Sequence, residues 1–197
     1  METKHTNTQI IENTIKSIFE YIGENFDREG LKDTPKRILK VWDETLKGYN
    51  EARKPKITTF KNGSDGIIYN QMIIDSGDYY SYCEHHFLPF FGNYYFGYIP
   101  NEKGLILGLS KVARIVDYYS SKLQIQERLT SEIVNELWNE LCKDKNKPLG
   151  MILVMSGEHL CKTMRGVKKK GKMKTSYLKG IFEQSQARNE FLQLIKI

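Results

Sequence analysis

Cysteine is scarce in this chain of 197 residues, and the three it has are an odd number without framework spacing. That excludes a disulfide scaffold and points to a reducing compartment, where Cys serves as ligand or core residue. A cytoplasmic location is the expectation. No apolar run approaches the roughly 18 residues needed to cross a bilayer, so no membrane partner is expected. Met1 to Gln9 is polar and lacks the apolar stretch of a signal peptide. Internal repeats are missing, as is a glycine-rich dinucleotide fingerprint. The one low-complexity feature is a lysine run, Lys168-Lys169-Lys170 followed by Lys172 and Lys174.

What is present suits a single globular core. The chain is 40% hydrophobic, enough for one substantial core with a small appendage. Its net charge is +6, from 30 Lys and Arg against 24 Asp and Glu. Such a balance suits an anionic substrate, nucleic acid or an acidic surface. The lysine run has no interleaved aromatic until Tyr177, so it reads as a solvated loop, and no nucleic-acid partner is expected.

Ile11, Ile15, Ile18, Phe19 and Ile22 recur at helical spacing, and Gly23 ends that helix. Asp33-Thr34-Pro35 reads as a cap followed by proline in the first turn of a second helix, which Gly48 stops. Residues 1–48 are therefore expected to form a helical hairpin, with 49–197 as one compact catalytic unit. Ile67 to Asp75 and Phe91 to Ile99 read as strands, with the cysteine segment on the connection between them. Helices over Ser110–Leu123 and Thr130–Cys142 follow. Met151–Met155 and a segment near Thr175–Phe182 read as strands, and Ser185–Ile195 as a closing helix. The order β-β-α-α-β-β predicts an α+β fold: an antiparallel sheet with helices on one face.

Chemistry concentrates at Cys83-Glu84-His85-His86 and at His159-Leu160-Cys161. Cys83 and His86 are spaced to close on one ion, and only the fold could bring Cys161 to it. Thiolate and imidazole ligands favour zinc over magnesium or calcium. Three protein ligands with one open position is the habit of catalytic zinc. His85 and His159 are left as spare imidazoles beside the metal, which reads as chemistry more than as a structural staple. Cys142, at helical spacing with Trp138, reads as a packing residue. A second constellation is basic. Lys111 and Arg114 share a helix face behind a capping Ser110, Arg37 and Lys40 repeat the spacing upstream, and Arg165 follows Cys161. Such groups suit phosphates, Arg by bidentate contacts and Lys as a point charge. In Gln126-Glu127-Arg128, a carboxylate beside an amide could read the donor edge of a purine such as guanine.

Four motifs carry a family resemblance that spans about Ile10 to Ile195. They are Cys83-Glu84-His85-His86, Gly108-Leu109-Ser110-Lys111-Val112-Ala113-Arg114-Ile115-Val116, Gln126-Glu127-Arg128-Leu129-Thr130, and His159-Leu160-Cys161 with Arg165-Gly166. Together with Arg28 to Pro35 they make the chain resemble GTP cyclohydrolase I. The resemblance implies a zinc enzyme that opens the guanine imidazole ring of GTP, releases formate and rebuilds the product as 7,8-dihydroneopterin triphosphate. It implies Cys83, His86 and Cys161 as zinc ligands, with His85 and His159 working at the purine C8 and N7. Gln126 and Glu127 would hold the guanine, and Ser110 would act at the ribose end. Lys111, Arg114 and Arg165 would hold the triphosphate, joined by Arg37 and Lys40 from a neighbouring subunit. The implied fold is the T-fold, whose subunits join sheets into a barrel and commonly form a homodecamer. Two departures stand out: the Lys168–Lys174 stretch is more basic than the family pattern, and Tyr177 and Lys179 stand where smaller, more neutral residues are usual. Two rival readings are a T-fold nitrile reductase of the deazapurine pathway and a zinc-stabilised nucleic-acid-binding module. The first needs a nucleotide fingerprint the chain lacks; the second leaves His85, His159 and Glu127 unexplained.

Overall fold

A computed structural model describes residues 2–196, the side chains of residues 2–7 and Leu109 excepted. The chain divides into two compact units, Met1–Lys47 and Gly48–Ile197. In the first, α1 (Glu2–Tyr21) ends where Gly23 adopts φ +78°, which lets the amides of Gly23 and Glu24 bond back to Glu20 and Phe19. α2 (Thr34–Thr45) carries Pro35 in its first turn. Asp33 occupies the N-cap position but makes no side-chain cap bond; its carboxylate instead lies 3.6 Å from Arg37. Among the described residues of this unit, Ile15 and Pro35 are buried.

The second unit is built on a five-stranded sheet of order β5-β2-β3-β6-β7. Its strands are β2 (Ile73–Cys83), β3 (Pro89–Ile99), β5 (Leu123–Gln124), β6 (Gly150–His159) and β7 (Lys172–Gly180). The four long strands are antiparallel, and short β5 joins β2 in parallel. A separate two-stranded ladder pairs β1 (Thr59–Lys61) with β4 (Leu105–Leu107). Two helices, α3 (Leu109–Ser120) and α4 (Gln126–Leu141), cover one face. Val112, Ile115 and Val116 from α3, and Leu129, Ile133, Val134, Leu137 and Leu141 from α4, pack on Phe90, Tyr94, Phe96, Met151, Leu153 and Met155. Each such fully buried side chain stabilises the fold by roughly 1.5–3 kcal/mol relative to exposure.

Helices do not keep to one face, as the element order had led us to expect. On β6 the alternate residues Ile152 and Val154 belong to a second core with Phe182, Ala187 and Phe191, which α6 (Ser185–Ile195) lays on the opposite face. That explains the unbroken apolar run Met151–Met155: a strand covered on both faces does not alternate. Other boundaries also move. The strand expected over 67–75 starts at Ile73 and runs to Cys83, while Ile67 and Ile68 are exposed. Its polar centre hid it. Asp75 accepts from the Tyr94 hydroxyl at 2.9 Å and Asp78 from Asn93 at 2.6 Å, so these carboxylates are cross-strand partners. The lysines at 172 and 174, expected in a loop, belong to β7, where they alternate with half-buried Met173 and Thr175. Helix α4 begins at Gln126 and not at Thr130, because Gln126 faces inward in its first turn. Finally, the N-cap of α3 is Gly108; Ser110 lies inside the helix and is not its cap.

Candidate metal centre and active site

Strand β2 ends at Cys83, and a tight link, residues 84–88, returns the chain into β3. The Cys83 carbonyl accepts from the Phe87 amide at 2.8 Å, and the Cys83 amide donates to Leu88 at 2.8 Å. This tight return places the His85 and His86 rings on the thiol side, with Nδ1 atoms 3.8 and 3.7 Å from the Cys83 sulfur. Arg128 ties the link to α4. Its guanidinium pairs with the Glu84 carboxylate and donates to Gln124 Oε1 at 2.9 Å and the Leu123 carbonyl at 3.1 Å. The ion pair holds Glu84 below the usual carboxylate range. Arg128 stands in a sequence motif without an expected role of its own, because its conjunction with Glu84 is visible only in the fold.

Cys161 arrives from the other side of the sheet centre. Strands β3 and β6 pair in a register that sets Phe90 opposite His159, so β6 ends beside the 84–88 link. The one-turn helix α5 (Leu160–Thr163) then carries Cys161. The ligand atoms of Cys83, His86 and Cys161 all lie within 4.8 Å of one another. Burial, and next the neighbouring Cys83, push the Cys161 thiol up, while the Arg165 charge pulls it down. Two cysteine sulfurs and an imidazole nitrogen brought this close fit a soft or borderline divalent ion. Cys142, half-buried at the end of α4, stands outside the cluster.

His159 is the most constrained imidazole in the structure's described part. The Phe90 ring stacks on it at 4.5 Å and 6°, and its Nε2 lies 2.9 Å from Gln126 Oε1. Burial lowers its pKa, and the nearby Glu127 charge works in the opposite direction. Glu127 itself is exposed, whereas Gln126 is fully buried. His85 is exposed, 3.9 Å from Glu84.

The cationic residues divide. Arg165 follows α5 at the exposed end of the metal segment. Ser110, Lys111 and Arg114 stand in the first half of α3, with Ser110 and Arg114 exposed. No hydrogen bond or ion pair among the described residues joins these three to the cysteine cluster. Arg37 and Lys40 lie exposed on α2 of the N-terminal unit.

A family model described as GTP cyclohydrolase I matches residues 11–196. Among curated proteins, the chain is 44% identical over 188 residues to GTP cyclohydrolase 1 of Helicobacter acinonychis (strain Sheeba), covering 94% of this chain and 99% of that one. It is 40% identical over 188 residues to GTP cyclohydrolase 1 of Wolinella succinogenes, covering 94% and 96%. A solved structure, archaeosine synthase QueF-Like in the apo form, overlaps 55% of this chain and 93% of its own at 14% identity and a TM-score of 0.41, too distant to bear on the site. With the match running through every motif described above, the chain belongs to the GTP cyclohydrolase I family.

Proposed function

We propose that the chain carries out its family's reaction: hydrolytic opening of the guanine imidazole ring of GTP with release of formate, then ribose rearrangement and closure to 7,8-dihydroneopterin triphosphate. One convergence carries this reading. Three soft or borderline ligand atoms from two distant segments lie within 4.8 Å of one another, and His159, two residues before Cys161, is held by Phe90 and Gln126.

Cys83, His86 and Cys161 would hold zinc, whose preference for thiolate and imidazole they match. When bound, zinc would supply Lewis-acid chemistry. His159 delivers a proton to the purine N7 as the imidazole ring opens, and His85, exposed on the 84–88 link, relays protons to solvent. Glu127 accepts from the N1 and N2 donors of guanine; adenine has neither, so the site excludes it. Lys111, Arg114 and Arg165 orient the triphosphate, and such positioning lowers the barrier without chemistry of its own. Ser110 serves the ribose end. Arg37 and Lys40 reach the phosphates from a neighbouring subunit, in a T-fold barrel assembled as a decamer. A reducing cytoplasm keeps the three free cysteines available.

Formate release from GTP, measured alongside metal content, tests the reading. About one zinc per chain is expected, with turnover lost on chelation. Cys161→Ser should lose zinc and activity together, whereas Cys142→Ser should keep both. Full zinc content in the Cys161→Ser protein would sink the ligand set.

A further inference from the structure

We infer that Gln126 is a positioning residue that locks His159 in the tautomer carrying its proton on Nε2, and that it does not touch the guanine. This inference rests on the reading of His159 as the group that handles a proton at N7.

The argument is one of hydrogen-bond valence. The Gln126 side chain is 0% exposed. Its amide nitrogen faces the Met155 carbonyl at 3.1 Å, the Met173 carbonyl at 3.2 Å and the Thr175 hydroxyl at 3.0 Å. Carbonyls only accept, so the NH2 group must stand on that side and the amide cannot be flipped. The amide oxygen therefore faces the other way, where it meets the Tyr79 hydroxyl at 3.1 Å and His159 Nε2 at 2.9 Å. An amide oxygen cannot donate. Nε2 must carry the hydrogen, so Nδ1 is the ring nitrogen left without one in this tautomer.

Every valence of the Gln126 amide is then used inside the protein. Its oxygen accepts twice, and its two hydrogens face three acceptors. Nothing remains for the edge of a base, which leaves exposed Glu127 to read guanine. The surroundings brace the same geometry. Thr130 donates to the Gln126 backbone carbonyl at 2.6 Å and shares a hydrogen bond of 2.7 Å with Thr175. Phe90 fixes the plane of the His159 ring, and Gln126 fixes its rotation within that plane.

The experiment has two legs. The first uses wild-type protein labelled with 15N at its four histidines. Magic-angle-spinning NMR makes assembly size immaterial, and the His159 signals are assigned by their loss in His159→Gln. A neutral ring protonated at Nε2 is expected; one protonated at Nδ1 overturns the inference. The second leg is kinetic. Gln126→Met combined with Tyr79→Phe removes the acceptor without stranding a buried hydroxyl. This pair should lower kcat about 10–100-fold while KM for GTP stays within about threefold and zinc content is kept. Tyr79→Phe alone, which retains the bond to His159, should lower kcat by at most about threefold. An unchanged kcat in the double variant, or a KM raised about tenfold with kcat kept, overturns the positioning role. Wild-type turnover by His159→Gln would instead defeat the underlying reading of His159, a distinguishable failure.

Discussion

Gly157 stands opposite Gly92 in the β3–β6 pair, two residues before His159. A Cβ at Gly157 would lie 2.2 Å from the Tyr79 hydroxyl and 2.7 Å from Gln126 Oε1. The missing side chain is thus the space in which the Tyr79–Gln126–His159 chain of hydrogen bonds is built. Gly157→Ala must push one of those groups aside. Overpacking of this kind costs about 1–3 kcal/mol, and the displaced amide also loosens His159. Melting should therefore come earlier and formate release should slow, while metal analysis should find zinc retained. Unchanged melting and turnover would show that the network yields freely. None of this was legible from residue types: Gly157 lies beyond the strand expected over Met151–Met155, and Gln126 reads as part of a guanine-recognition segment. By contrast, Cys83, His86 and Cys161 declared themselves by type and spacing, because few structural roles put thiols and imidazoles together in two short segments.

Elements were legible where apolar periodicity was clean and obscure where polar residues were paired. Helices α3 and α4 follow from their apolar stripes. β2 beyond Asp75 does not, since Ser76, Gly77 and Asp78 look like a turn until their partners on β3 are known. The packing of α6 on the far face of the sheet was equally hidden, because its amphipathic pattern says which face is buried but not against what. Polar pairing also joins elements around α4. Glu136 lies 2.8 Å from the Lys54 ammonium and accepts from the Tyr119 hydroxyl at 2.8 Å, linking α4 to α3 and to the turn at 51–53. Burial pushes the Glu136 carboxyl up, but the bonds from Lys54 and Tyr119 outweigh it and leave the pKa below its ordinary 4.5. A carboxylate with a lowered folded pKa stabilises the protein above its unfolded value, and that contribution fades as pH falls through the folded one. Glu136→Gln should therefore cost about 1 kcal/mol near neutrality, modest because the pair is partly solvated. Denaturation curves of the two proteins should converge as pH drops below 4.5. A constant difference at all pH values would mean that charge at Glu136 contributes nothing.

At the scale of the whole molecule, each unit taken by itself leaves surfaces that suit a partner. Among its described residues the N-terminal unit buries Ile15 and Pro35, and Ile18, Tyr21 and Ile22 at the end of α1, with Val41 on α2, are exposed. So few buried residues would not hold a helical hairpin of this size in water. Strand β7 forms one edge of the five-stranded sheet, and unpaired edges invite partners. A second copy of the same chain answers both needs, since closed symmetric assembly is the common solution for homo-oligomers. It would also bring Arg37 and Lys40 of one subunit to the phosphates held by another. Light scattering should then report a particle far larger than the 23.0 kDa chain. A sharper consequence concerns mixtures. Arg37→Ala and Cys161→Ser are each expected to be inactive, yet in the proposed assembly they would damage different halves of a shared site. Random subunit exchange would pair an intact metal segment with an intact α2 at about one site in four, so the mixture should recover about a quarter of wild-type formate release. If each site were confined to one chain, mixing would restore nothing, and a fully active monomer would remove the need for a ring.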